Sequence, residues 1–260
     1  MKKIINLYKP VSITPLQAVH TFKEKNPAYN GKKMSYPGRL DPMAEGVLLL
    51  LVGNENKKMQ QYMKLDKEYV AQILLGIATD SHDLLGMPIK GGKIPIDEKE
   101  LKKKIKQLKG NYTQKIPMYS SIRVKGKPLF YYARKGKTEN IQPPEFVVSI
   151  KEIQIEDVFH ISSQKLLKDI IKKINNLEGD FRQEEIINAW KNILENSEEK
   201  YKVIQVRIAC SSGTYIRAIA EDIGKTYGGG MLISLQRTKV GRFDVRDSLK
   251  ISGVKRFPNT

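Results

Sequence analysis

The sequence predicts a chain that mixes α-helices with β-strands, and three kinds of pattern carry that expectation. EFVVSIKEIQIEDV (145–158) and KYKVIQVRIAC (200–210) alternate apolar and polar residues with the period of a half-buried strand. VLLLLVG (47–53) is continuously apolar and reads as a buried strand or a short helix, ended by Gly53. DEKELKKKIKQLK (97–109) instead places Leu101, Ile105 and Leu108 on one helical face. Asp97 and Glu100 fit a capping box there, and Gly110 follows as a stop. Its six lysines, from Lys99 to Lys109, read as the solvated face.

The remaining elements follow the same logic. YVAQILLG (69–76) looks like a strand, and TDSHDLLG (79–86) like a loop built on turn chemistry. Between the two alternating strands lie two amphipathic patterns. The first runs through Leu166, Leu167, Ile170, Ile171, Ile174 and Leu177. The second opens at Asp180, with Gln183 as a capping partner, and buries Ile186, Ile187, Trp190, Ile193 and Leu194. Together they predict a helical hairpin inserted between two strands. SSGTYIRAIAEDIGKTYGGG (211–230) reads as a turn into a helix, ended by glycines.

At 260 residues the chain has the length of one large domain or two small ones. Its 46 Lys and Arg outnumber 28 Asp and Glu, a formal charge of +18. That excess points to a polyanionic partner: nucleic acid first, an anionic membrane surface second. A general Lys, Ile and Asn bias would have enriched Glu as well. Cys210 is the single cysteine, so no internal disulfide is possible. The opening MKKIINLYKPVSITP lacks the apolar region of a signal peptide, and the run Val47–Val52 is too short to span a bilayer. A soluble cytoplasmic protein, without a membrane association and acting as a monomer, is expected.

No metal and no cofactor are expected either. His20, His82 and His160 lie far apart, with no ligand spacing to Cys or paired acids. Neither a G-x-x-x-x-G-K-[ST] loop nor a G-x-G-x-x-G after a strand is present. TDSHD (79–83) resembles a carboxylate cluster but has no partner ligands and reads as a turn. The most informative stretch is YPGRLDPMAEGVL (36–48), where Asp41 stands between a Gly-Arg-Leu turn and the apolar run. Asp-Pro is a common helix opening, with the carboxylate capping and Pro at the first helical position. The alternative is an acid placed for chemistry.

The wider motif context bears on that choice. GRLDPMAEGVLLLLVG (38–53) resembles the G-x-L-D-P-x-A-x-G-V-L signature of tRNA pseudouridine-55 synthases, the TruB family. In the family's order, NLYKP (6–10) is similar to its K-P element and KEYVAQILLGIATDSHDLLG (67–86) to its K-x-Y block. QKIPMYSSIRVKGKPLFYYARKG (114–136), CSSGTYIRAIAEDIG (210–224) and LQRTKVGRF (235–243) resemble three further blocks. The resemblance covers residues 1–150 and 200–250. It implies an α+β, pseudouridine-synthase-like fold: a mixed, mostly antiparallel sheet flanked by helices. Residues 1–260 would be one catalytic domain, with 161–199 as the helical hairpin insertion and 244–260 as a short basic tail.

The resemblance also implies a reaction, in which the uracil glycosidic bond breaks, the base rotates and C5 rejoins the ribose. Asp41 matches the catalytic carboxylate beside C1′, and Arg217 its arginine partner, which favours the anion and fixes its orientation. Tyr69 matches the tyrosine that stacks on the target base and serves as a general base. Leu235 matches a leucine of the uracil pocket, and Lys9, Lys67, Tyr119 and Arg123 would sit near substrate. The partner implied is the T-arm of tRNA.

Three features depart from the family pattern. Tyr36 stands where a loop-contacting histidine is usual, and Arg39 where Thr or Ala is usual; together they are expected to hold the flipped-out loop. Arg39 before Leu-Asp also resembles the R-L-D element of ribosomal-RNA pseudouridine synthases, a rival substrate class. The family's C-terminal RNA-binding domain is not matched, and the 161–199 hairpin is additional, most simply a surface decoration. A tRNA-folding chaperone without catalysis is the rival of another class.

Overall fold

The computed structural model describes residues 2–92 and 94–251. The chain opens with β1 (Ile4–Lys9) and α1 (Pro15–Lys25), where Thr14 and Gln17 form a reciprocal capping box. β2 (Met34–Ser35) and β3 (Ala44–Val52) follow, then a short helix α2 (Met59–Met63) and the long strand β4 (Lys67–Leu75). β5 (Ile77–Thr79) and β6 (Pro88–Lys90) pair as a small ribbon around the turn at 80–87. After α3 (Glu98–Gln107) and β7 (Gly110–Lys115), a second ribbon, β8 (Arg123–Val124) with β9 (Lys127–Pro128), leads into α4 (Leu129–Arg134). The 18-residue strand β10 (Glu145–Ser162) is joined to β11 (Lys200–Cys210) through α5 (Ser163–Asn175) and α6 (Gln183–Leu194). α7 (Ile216–Gly224), β12 (Gly230–Val240), β13 (Phe243–Asp244) and β14 (Leu249–Lys250) complete the described chain.

Ten strands form one sheet in the order β14-β1-β3-β12-β4-β11-β10-β7, with β13 on β12 and β2 on β3. Only β1–β14 and β3–β12 pair in parallel among the described strands; the rest are antiparallel. This is the mixed, mostly antiparallel α+β architecture expected, with the helical hairpin between β10 and β11. No helix among the described residues is long and apolar enough to cross a membrane.

The run 47–52 is a strand, and its lack of alternation follows from burial on both sides. Leu48, Leu50 and Val52 pack with Ala18, Val19 and Phe22 of α1, while Val47 and Leu49 pack with Val240. Gly46 is required where β3 meets β12: its φ is +105°, and a Cβ there would overlap the carbonyl oxygen of Arg237. On one face of the sheet, Ala71, Ile73, Ile204, Val206 and Ile208 pack against Ile105 of α3 and Ile219 and Ile223 of α7. On the other, Leu74, Val203 and Met231 meet Ile170 of α5 and Trp190 of α6.

Several local expectations are corrected. Asp41-Pro42 opens no helix; the chain turns there, Ala44 N donates to Asp41 O at 3.0 Å, and β3 begins. The Asp97 side chain caps α3 through Lys99 N, and Gly110, with φ +107°, is the first residue of β7. Asp180 does not cap α6. Arg182, left-handed at φ +59°, precedes that helix, and the Gln183 amide accepts from Phe181 N and donates to the Leu177 and Gly179 carbonyls. The expected basic tail from 244 begins as structure, since β14 pairs with β1; its residues 252–260 lie outside the described residues.

Candidate active site

Four separate segments converge on Asp41, which occupies the loop entering β3. Arg217, the second residue of α7, brings Nε to 2.9 Å from Asp41 Oδ2. The Nε–H is not aimed at that oxygen, so the attraction is coulombic rather than a directed hydrogen bond. The arginine side chain is 4% exposed and the Asp41 side chain 40%, so the carboxylate is not buried but faces open space. Arg217 is fixed from behind, donating from Nη1 to Ser81 O at 2.8 Å and from Nη2 to Tyr119 O at 3.1 Å. A cation in the first turn of a helix opposes the helix dipole. Two carboxylates offset that cost: Asp41, and Asp83 with its Oδ2 3.8 Å from Nε. Burial alone would lower the Arg217 pKa, but Asp41 and Asp83 leave it above its ordinary value.

Asp83 is the residue the sequence reading missed. TDSHD is indeed a turn, and the turn delivers a buried carboxylate. Asp83 Oδ1 accepts from Ser81 Oγ at 2.6 Å and Leu85 N at 3.0 Å. Burial pushes its carboxyl up, Arg217 pulls it down, and the net position is above the usual range. The acid-rich pentapeptide was the available signal.

The sheet supplies the opposite wall. Tyr69 and Lys67 of β4 and Leu235 of β12 line, with Asp41 and Arg217, a cavity of about 350 Å³. Burial pushes the Tyr69 phenol above its ordinary value, so it is held neutral. Lys67 donates to Met63 O at 2.6 Å, and burial pushes it down to about 8. Arg237, buried beneath, donates from Nε to Val47 O at 2.8 Å and from Nη1 and Nη2 to Arg39 O and Gly38 O, both at 3.2 Å. Those bonds set the Gly-Arg-Leu-Asp turn. Gln114 of β7 does the same for the turn before α7, joining Gly213 O (2.6 Å) and Tyr215 N (2.9 Å).

A second cavity, about 390 Å³, shares Arg39, Asp41, Tyr119 and Arg217 with the first and adds Tyr36. Both volumes suit small-ligand sites. Arg39 reaches Ser121 Oγ at 2.7 Å, and the Tyr119 hydroxyl, pushed up to about 12 by burial and Asp80, donates to Asp80 Oδ2. Two expected substrate contacts are elsewhere. Lys9 is fully buried and donates to Pro10 O and Ile13 O at 2.8 Å and Pro42 O at 3.4 Å, so it braces the Asp41 loop from inside. Arg123 lies in the β8–β9 ribbon, exposed, donating to Gly126 O, and lines neither cavity. Phe181 and Arg182, between α5 and α6 of the hairpin, line the second cavity.

The sheet has counterparts among solved structures. A solved Cbf5-Nop10-Gar1 complex aligns with a TM-score of 0.58 at 20% identity, over 95% of this chain and 51% of the matched one. An H/ACA RNP bound to a substrate RNA containing 2′-deoxyuridine aligns with a TM-score of 0.55 at 19% identity, over 95% and 50%. The fold is the pseudouridine-synthase-like α+β fold. The family model "TruB family pseudouridylate synthase (N terminal domain)" matches residues 26–170, which include Asp41 and Tyr69. The tRNA pseudouridine synthase B of Endomicrobium trichonymphae is 33% identical over 251 residues, 95% of this chain and 88% of the relative. That of Francisella tularensis subsp. tularensis (strain WY96-3418) is 34% identical over 230 residues, 87% of this chain. The chain belongs to the TruB pseudouridylate synthase family. It spans 62% of the length of the Francisella relative.

Proposed function

We propose that the protein isomerises uridine to pseudouridine in tRNA, at position 55 of the T-loop, with Asp41 as the catalytic carboxylate. The observation that carries this reading is the Asp41–Arg217 pair, 2.9 Å apart, with the carboxylate open to a cavity walled by Tyr69 and Leu235. Family membership and the names of the relatives support the same activity.

In the proposed reaction the N1–C1′ bond breaks, the freed uracil turns, and a C1′–C5 bond forms. C5 loses a proton and N1 gains one, so no atom or electron is added overall. Asp41 acts at the ribose beside C1′, through a covalent adduct or an eliminated glycal. Arg217 orients it, because the guanidinium is itself fixed by two carbonyls. Reaching the base requires flipping it out, at a few kcal/mol. Stacking on Tyr69 returns roughly 1–3 kcal/mol. A neutral phenol suits that stacking role better than service as a stored phenolate base. Tyr36 and Arg39 hold the extruded loop. Phosphate contacts follow from the charge of +18 and make binding strongly salt-dependent.

Single-nucleotide pseudouridine mapping on an unmodified tRNA transcript tests the reading. The native chain is expected to convert the T-loop uridine, and Asp41→Asn to lose at least about 10³-fold in rate while still binding RNA. Absence of product from both, with binding retained, would support the chaperone instead. Arg39 favours one second reading, ribosomal RNA as substrate, and product there but not in tRNA would establish it.

A further inference from the structure

The second cavity holds more than the proposed reaction uses. Its outer wall is built by the hairpin tip and α4. The Arg134 guanidinium lies 5.7 Å from the centre of the Phe130 ring and 5.4 Å from that of Phe181. Arg182 lies 5.4 Å over the Tyr119 ring, donates to its hydroxyl at 2.7 Å, and is 3.6 Å from Asp80. Arg134 has no carboxylate partner among the described residues. The tip is rigid by construction. Gln183 ties it to two carbonyls, Asp180 accepts from Arg182 N at 3.3 Å, and Gly179 supplies a φ of +103°. The hairpin is anchored to the catalytic side by Ser12 Oγ, which donates to Lys173 O at 2.7 Å, and by Gln17, 3.2 Å from Glu178 Oε2.

Cationic side chains interleaved with aromatic faces form a stacking platform with phosphate-binding heads. Because Arg39, Asp41 and Arg217 border both cavities, an occupant of the second is a chain neighbour of the uridine in the first. Building on the RNA-isomerase reading above, the geometry points to a subsite for one unpaired nucleotide adjacent to the target uridine, walled by Phe181 and Arg182 of the hairpin together with Phe130 and Arg134. The base lies against the rings and its phosphate against Arg134. The hairpin is then a substrate-positioning element.

The test uses a stem–loop RNA carrying the target uridine, and a series with a single abasic nucleotide at each other loop position. Dissociation constants are measured in the Asp41→Asn background, so that turnover plays no part. The abasic change at one neighbour of the target is expected to weaken binding by about tenfold. With F181A/R182A the same abasic change should cost less than about twofold further, while abasic changes elsewhere keep their full cost. Phe130→Ala, on the other wall, removes a ring against which the base lies and should lose sensitivity at the same position, which guards against misfolding of the tip variant. Equal abasic costs in native and variant proteins at every position would overturn the subsite. Failure of pseudouridine formation by the native chain would overturn the activity instead, and leaves the binding cycle readable.

Discussion

The two walls around Asp41 are built on different principles. The inner wall, carrying Arg217, Asp83, Tyr69, Leu235 and Arg237, rests on β4, β12, α7 and a turn locked to them, and its side chains are buried. Every cation there is tied to carbonyls or carboxylates. The outer wall, with Tyr36, Arg39, Tyr119, Arg134, Phe181 and Arg182, sits on loops, a one-turn helix and the hairpin tip, and is partly open to solvent. The contrast separates two requirements. Under the proposed reaction, a carboxylate acting at C1′ needs a geometry fixed by the core, while a flexible RNA loop needs broad aromatic faces and long charged side chains that adapt.

The contrast is broken most directly at its centre. Arg217→Met is expected to lower turnover by more than about 10³-fold and to destabilise the fold by about 3–5 kcal/mol, because Asp83 is left as an uncompensated buried carboxylate. Urea denaturation checks the second figure, and a loss under about 1 kcal/mol would mean that Asp83 does not depend on Arg217. Gly46→Ala tests the β3–β12 seam that carries the Asp41 loop. The overlap with the Arg237 backbone and the positive φ should cost about 3 kcal/mol, read as a lowered urea midpoint. An unchanged midpoint would show that the parallel pairing yields easily.

The outer wall should behave oppositely. Arg39→Ala is expected to reduce turnover about tenfold while leaving stability within about 0.5 kcal/mol, since its one described side-chain bond is to Ser121 on the surface. Equal losses in activity and stability would erase the distinction between the walls.

A more gradual effect concerns pH. Burial holds Lys9 down to about 7 and Lys67 to about 8, both below the ordinary lysine value of 10.5. Between those values the unfolded chain binds more protons than the folded one, so stability rises with pH from about 7 towards 10. Each lysine contributes at most about 1.4 kcal/mol per pH unit. Above that window Tyr8 and Tyr119, both raised to about 12, reverse the trend. Denaturation at a series of pH values should show a shallower rise for Lys9→Met, and an unchanged slope would refute the assignment.

Some of this was readable from local pattern alone. The alternation of 145–158 and 200–210 and the apolar spacing of the hairpin each became the expected element, because periods of 2 and 3.6 residues are properties of a single segment. Motif resemblance brought Asp41, Tyr69, Arg217 and Leu235 to one cavity. Lys9 and Arg123, expected near substrate from the same resemblance, line neither cavity, since proximity in a motif does not say which way a side chain points. Lys9 alternates with Tyr8 on β1 and turns inward to three carbonyls.

By itself, then, the sequence determined the kinds of element, the net charge of +18, and the acid and arginine that meet in the cavity. Only the tertiary structure decided that Asp83 joins them, that Arg237 sets the loop beneath, and that a hairpin inserted more than a hundred residues after Asp41 closes the second cavity. Those outcomes depend on strand order, which places β12 between β3 and β4 and folds α5 and α6 back across the sheet. Contacts between segments distant in sequence arise from which faces are buried together, and no local period encodes that pairing.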